Sequence, residues 1–303
     1  MKKVFITDYI KDPNIEQKII GNKAKVICLN LENEKDFPDD IQDADGLLVW
    51  HTKISEFTIK KLKKCKAVIR YGVGSDNIDK KSLKKHNIIF ANTPDYGVDE
   101  VADTSSALIL NLVRKVSLYN NQTKEKLKSW QEEVINTDKL NPIKRTSDHK
   151  LGIIGLGRIG SALAIRMKKF KMEVGFYDPY IPSGYEKSFD IKRFDTIKEL
   201  IKASSIISIN AALNSETHSM VDEIFIKSLN EDTILINTAR GAIIKNLDII
   251  LEGLKSNKLA AVGLDVLPKE PPQKEDALIK IWIESKSPLC DRIIINPHSA
   301  YYS

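Results

Sequence analysis

Short apolar runs alternate with stretches of helical periodicity along nearly the whole of this chain, and that alternation confines it to a parallel α/β architecture. In the first third, Val4–Thr7, Lys25–Leu29, Gly46–Trp50, Ala67–Arg70 and Ile88–Phe90 are predicted strands. Helices are predicted over Ile15–Gly21, Glu56–Lys63 and Lys80–His86. A longer helix runs from Val101 towards Tyr119, with Val101, Leu108, Leu112 and Val116 near helical spacing. Beyond a polar stretch, Asn136 to Lys150, a second series places strands at Leu151–Ile154, Val174–Tyr177, Ile206–Ile209, Ile234–Ile236, Ala260–Gly263 and Ile293–Ile295. The pattern is α/β, with two Rossmann-like, doubly wound parallel-sheet domains, the first flavodoxin-like. The chain crosses between them within Asp95–Val101, and an interdomain cleft is the expected place for a ligand.

A length of 303 residues suits two such domains. The formal net charge of +6 comes from Lys and Arg spread through the chain, and the runs at Lys60–Lys64 and Lys80–Lys85 read as solvated helix faces. No nucleic-acid partner is expected. Cys28, Cys65 and Cys290 stand far apart, so neither a metal site nor a disulfide framework is expected. The sequence shows no apolar run of membrane-spanning length and no signal-peptide pattern at its start, and a cytoplasmic protein without membrane association is expected.

Leu151-Gly-Ile-Ile-Gly155-Leu-Gly157-Arg158-Ile159-Gly160 is a strand running into GxGxxG, the pattern of a dinucleotide site. An amphipathic helix follows, with Ile159, Leu163, Met167 and Phe170 on one side, and the next strand ends at an acid, Asp178. Gly155 permits the turn, Gly157 lets the backbone approach a pyrophosphate, and Gly160 allows close helix–strand packing. The helix N-terminus attracts the phosphates, to which Arg158 adds a charge. Asp178 accepts ribose hydroxyls and repels a 2′-phosphate. No Arg or Lys occupies 179–181, so NAD is the expected cofactor rather than NADP.

Three further segments follow successive strands of the second series: Asn237-Thr238-Ala239-Arg240-Gly241, Asp265-Val-Leu-Pro-Lys-Glu270 and Asn296-Pro-His298. They bring a guanidinium, a carboxylate and an imidazole to the carboxyl ends of a doubly wound sheet, where ligands bind. Reduction of a 2-keto acid needs those groups: a fork for the carboxylate, a proton donor for the carbonyl, and an acid that orients the donor.

With Arg70-Tyr-Gly-Val73-Gly74-Ser-Asp76-Asn77, Asn92-Thr-Pro94 and Glu100-Val-Ala-Asp103-Thr104 added, the chain resembles the D-isomer-specific 2-hydroxyacid dehydrogenases over nearly its whole length. Arg70-Tyr-Gly, Pro94-Asp-Tyr, Asp178-Pro-Tyr and His298-Ser-Ala-Tyr-Tyr-Ser are most similar to the branch containing the C-terminal binding proteins.

The resemblance implies a substrate domain over 1–98, an NAD-binding domain over 99–297, and in 298–303 the start of a return segment. It implies His298 as general acid and base, Glu270 as its partner, and Arg240 gripping the substrate carboxylate. Arg70 and the amides of Val73 and Gly74 would bind substrate from the first domain. Asp265 would contact the nicotinamide carboxamide. Thr104, Ile159, Thr238 and Ala239 complete the implied cofactor contacts, and Asn92-Thr-Pro94 is implied as a hinge into the long helix.

The family usually continues about one helix beyond the point corresponding to Ser303, so exposed apolar surface on the first domain and lowered stability are expected. Tyr301 replaces the Trp of the corepressor-like branch, and Asn210-Ala-Ala-Leu213 replaces a polar-plus-Pro segment. The implied protein is a homodimeric, NAD-dependent oxidoreductase acting on a small 2-keto or 2-hydroxy acid. The alternative is an NAD(H)-responsive protein-binding module.

Overall fold

Each strand of the computed structural model pairs in parallel with its neighbours, in two separate sheets. The structure describes residues 1–125, 143–284 and 287–303. Residues 136–142 of the polar stretch lie outside them. Contacts divide the chain after Gly97.

The first unit, Met1–Gly97, holds β1 (Lys2–Ile6), β2 (Ala24–Cys28), β3 (Gly46–Val49), β4 (Ala67–Arg70) and β5 (Ile89–Asn92) in the order β2-β1-β3-β4-β5. Phe5, Leu47, Val49 and Val68 from the strands pack with Ile59 and Leu83 from the helices into one core. Helices α1 (Asn14–Ile20), α2 (Glu56–Ile59) and α3 (Lys80–Lys85) connect the strands. Ser55 and Asp79 cap the N-termini of α2 and α3 by accepting from the Phe57 and Ser82 amides. Helix α2 is shorter than the predicted Glu56–Lys63. After Ile59 the chain tightens into three-residue turns, Lys61 N–H to Thr58 C=O and Leu62 N–H to Ile59 C=O.

The second unit, Val98–Ser303, opens with α4 (Val98–Arg114) and α5 (Val116–Glu125) rather than one long helix. Lys115 between them has φ +53°. Asn111 ends the continuity by accepting from the Ser117 amide and donating to its hydroxyl, a side-chain cap for the new helix.

There follow β6 (Lys150–Ile154), α6 (Arg158–Lys169), β7 (Glu173–Tyr177), α7 (Tyr185–Phe189), β8 (Lys192–Arg193), α8 (Ile197–Ala203) and β9 (Ile206–Ile209). Then come α9 (Glu223–Ser228), β10 (Thr233–Asn237), α10 (Leu247–Lys255), β11 (Leu259–Leu264), α11 (Ala277–Glu284) and β12 (Ile293–Ile295). The sheet order is β12-β11-β10-β9-β6-β7-β8, which reverses direction between β6 and β9.

Strands β9 and β10 are buried at every position, which explains why apolar residues dominate both, with Ser208, Thr233 and Asn237 the polar positions. Phe170 is not on the buried side of α6: it caps the helix C-terminus and stays exposed, while Leu163 and Met167 are fully buried. The segment 298–303, read in the sequence as the start of a return segment, groups with the second unit, where the amides of His298, Ser299 and Ala300 all bond to Asp265. No described helix is long and apolar enough to cross a membrane.

At the carboxyl edge of the first sheet, buried Asp8 accepts from the amides of Trp50, His51 and Thr52 and from the Thr7 hydroxyl. One carboxylate thus satisfies the loop that leaves β3. Asp8→Ala leaves those donors unpaired and should destabilise the protein by about 2–4 kcal/mol. Urea unfolding of the two proteins measures it.

Candidate active site

The glycine turn after β6 lies at the point where the sheet order reverses, the location of ligand sites in open α/β sheets. Its three glycines meet three different demands. Gly155 has φ +92°, and a Cβ there would stand 2.7 Å from the Ala211 amide in the segment after β9. Gly160 lies so close to Gly155 that a Cβ would fall 2.2 Å from the Gly155 carbonyl oxygen. A Cβ on Gly157 would meet nothing within 4 Å, and both Gly157 and Arg158 at the head of α6 are exposed. That open turn at a helix N-terminus fits a pyrophosphate, with Ile159 half-buried in the first turn behind it.

Asp178, one residue past β7, accepts from the Leu156 amide with one oxygen and from the Tyr180 amide with the other, at 2.9 Å each. Its charge is thereby fixed beside the glycine turn. On the other side of β6, Asn210 follows an entirely buried strand and donates to the Ser208 hydroxyl, while its own buried Oδ1 has no hydrogen-bond donor among the described residues. An acceptor without a donor beside this turn fits a hydroxyl-bearing ligand. The polar residue that follows a mostly apolar strand was the available sequence signal for it.

Arg240, Glu270 and His298 follow β10, β11 and β12, adjacent strands whose parallel carboxyl ends face one way. The His298 Nδ1 and Glu270 Oε2 are 2.7 Å apart, and Glu270 Oε1 accepts from the Leu267 amide at 2.8 Å. Burial acts to raise the Glu270 carboxyl, but hydrogen bonds from His298 and Leu267, with the charges of His298 and Arg240, outweigh it and hold the group below its ordinary range. An ionised Glu270 accepts, so Nδ1 carries the hydrogen and Nε2 is the nitrogen that can exchange a proton.

His298 itself has φ +53°, a left-handed conformation that a residue with a Cβ rarely adopts. Asp265 holds it there. The Asp265 carbonyl accepts from the His298 amide at 2.8 Å, and the two carboxylate oxygens accept from Ser299 and Ala300 at 3.0 and 3.1 Å. Burial raises the Asp265 carboxyl, against the opposing pull of the Ala300 and Ser299 amides. This tether was not legible as such in the sequence, where Asp265 reads as a cofactor contact.

Asn237 brackets the Arg240 turn by accepting from the Ala239 amide and donating to the Arg240 carbonyl. The Thr238 hydroxyl meets Ser105 of α4 at 2.7 Å, beside half-buried Thr104. A Cβ on Gly241 would lie 1.8 Å from the Leu267 carbonyl oxygen, so only glycine lets the Arg240 turn press against the segment that leads to Glu270.

The remaining expected substrate residues, Arg70, Val73 and Gly74, belong to the first unit, at the carboxyl end of β4. The amides of Val73 and Gly74 donate to no acceptor among the described residues. His51 stacks on Trp50 with ring centroids 5.6 Å apart, and Tyr9 meets both rings edge-on. Among the described residues no cluster of His, Cys, Asp and Glu is suited to a metal ion.

This arrangement has known counterparts. The model of the D-isomer specific 2-hydroxyacid dehydrogenase NAD-binding domain matches residues 106–300. D-3-phosphoglycerate dehydrogenase of Methanocaldococcus jannaschii is 31% identical over 299 residues, 98% of this chain and 53% of that protein. C-terminal-binding protein 1 of Caenorhabditis elegans is 27% identical over 295 residues, covering 96% of this chain and 39% of that one. The chain thus spans about half or less of the length of these relatives. Among solved structures, D-lactate dehydrogenase from Aquifex aeolicus, complexed with NAD and lactic acid, superposes with a TM-score of 0.82 at 27% identity over 99% of this chain and 89% of its own. A glycine turn that fits a dinucleotide, a family model matched through the whole second sheet and two-domain relatives along its length agree: the chain belongs to the D-isomer specific 2-hydroxyacid dehydrogenase family.

Proposed function

We propose that this chain is an NAD-dependent oxidoreductase that interconverts a small 2-keto acid and the D-2-hydroxy acid. The observation that carries this reading is the 2.7 Å contact between His298 Nδ1 and Glu270, which reserves Nε2 for proton exchange, with the charge of Arg240 acting on the same Glu270. D-lactate and D-3-phosphoglycerate, named for the Aquifex and Methanocaldococcus proteins, are both small 2-hydroxy acids and define the substrate class to assay.

The bound nicotinamide would supply or accept the hydride at the substrate's C2 carbon. His298 Nε2 gives a proton to the carbonyl oxygen in reduction and takes it back in oxidation. Glu270 keeps the imidazole in the required tautomer. Arg240 pairs with the substrate carboxylate and stabilises negative charge growing on the carbonyl oxygen. Gly155, Gly157, Gly160 and Arg158 would hold the pyrophosphate, Asp178 the adenosine ribose, and Thr104, Ile159, Thr238, Ala239 and Asp265 the rest of the dinucleotide. A homodimeric, cytoplasmic enzyme accompanies this reading, and light scattering tests the dimer.

The reading is tested by steady-state assays of pyruvate, glyoxylate, hydroxypyruvate and longer 2-keto acids with NADH. Turnover of at least one supports it. Tight NADH binding with no turnover of any would sink it in favour of a binding module. His298→Asn should lower kcat by about a hundred- to ten-thousandfold, with NADH affinity retained.

Glu270→Gln tests the pairing through pH. Because the fold lowers the Glu270 carboxyl, its stabilisation is fully present above the ordinary carboxylate value and is lost as pH falls through the lowered one. The Tm gap between wild type and Glu270→Gln should therefore be open at pH 7 and close as pH falls below the ordinary carboxylate range. Asp178→Asn removes the charge and keeps an acceptor for only one of the Leu156 and Tyr180 amides. It should shift the ratio of kcat/KM for NADH to that for NADPH by about tenfold towards NADPH.

A further inference from the structure

We infer that Asn92 and Thr93 are positioning residues that aim the amides of Val73 and Gly74 at the substrate carboxylate; this rests on the function proposed above. Four hydrogen bonds join the end of β5 to the loop that leaves β4. The Thr93 hydroxyl accepts from the Gly72 amide at 2.8 Å and donates to the Arg70 carbonyl at 3.1 Å. The Thr93 amide donates to the Gly72 carbonyl at 3.3 Å, and Asn92 Nδ2 donates to the Val73 carbonyl at 2.7 Å.

The last two bonds set direction. In a planar trans peptide the C=O and the following N–H point opposite ways. The Gly72 carbonyl is turned towards Thr93, so the Val73 amide points away from β5. The Val73 carbonyl is turned towards Asn92, so the Gly74 amide points away as well. Neither amide has an acceptor among the described residues. Gly72, at φ +134°, allows the chain to turn so that the two carbonyls reach adjacent partners, Thr93 and Asn92. Two successive amides held outward form an anion-binding pair of fixed geometry. Asn92-Thr93, read in the sequence as a hinge, has side chains that act locally on this loop.

The experiment compares wild type, Asn92→Leu, Thr93→Val and Thr93→Ser. It measures KM and kcat for the best 2-keto acid, NADH affinity by fluorescence, and affinity for oxamate, a carboxylate analogue that cannot be reduced. Asn92→Leu and Thr93→Val should each raise KM and the oxamate Kd about tenfold, with kcat held within about threefold and NADH Kd within about twofold, while Thr93→Ser restores near-wild-type values. An unmoved KM and oxamate Kd overturns the inference. So does a loss in which kcat and NADH affinity fall in step, or a Thr93→Ser protein as impaired as Thr93→Val. Wild-type protein that turns over no keto acid and binds no oxamate overturns the function reading and this inference with it, and that outcome is read before any variant is made.

Discussion

Hydrogen bonds to Asp265 decide where the imidazole of His298 stands. A left-handed backbone costs a residue with a Cβ about 1–2 kcal/mol, and that cost persists only where the surroundings fix it. Here three consecutive amides, those of His298, Ser299 and Ala300, are satisfied by one aspartate. The chain leaving β12 turns sharply and lies beside the segment leaving β11, where Glu270 waits. Asp265 is buried and its own burial opposes ionisation, so the two amides on its carboxylate also keep it an acceptor. Remove that carboxylate and the Ser299 and Ala300 amides lose their acceptor, leaving the His298 amide on the Asp265 carbonyl as the one bond of the three that remains.

The same logic extends to Arg240 through a contact with no side chain on one side. Gly241 brings the Arg240 turn against the backbone of Leu267, and the Leu267 amide in turn holds Glu270. Guanidinium, carboxylate and imidazole are linked through backbone pieces on neighbouring strands. Such a site is organised before substrate arrives, which is how fixed charges stabilise a transition state without reorganising.

Most of the fold was legible because parallel strands buried on both faces write themselves as predominantly apolar runs, as in Ile206–Ile209 and Ile234–Ile236 of β9 and β10. Strand β8 was not, since Lys192 and Arg193 pair at the sheet edge without any apolar signature. The break at Lys115 was invisible because apolar spacing continues through it, and the cause is a side-chain cap from Asn111. At the site, residue types revealed chemistry but not support. Arg240, Glu270 and His298 could be read from their motifs. The tethering by Asp265, the bracket made by Asn237 and the acceptor of Asn210 depend on which backbone groups lie across a loop, and no spacing encodes that.

Charge around the imidazole matches each protonation state to one direction of the proposed reaction. Asp265 and Glu270 feel each other as well as His298, and Glu270 also feels Arg240. With both carboxylates ionised and His298 neutral, the four side chains carry one negative charge in excess. With His298 protonated they balance. In the proposed reaction an anionic keto acid would therefore meet less repulsion when the imidazole already holds the proton its carbonyl needs. The hydroxy acid, whose oxidation would require the neutral imidazole, would meet the more negative cluster. An acid partner for the histidine would thus fix the tautomer and also set the charge that each direction of the reaction encounters.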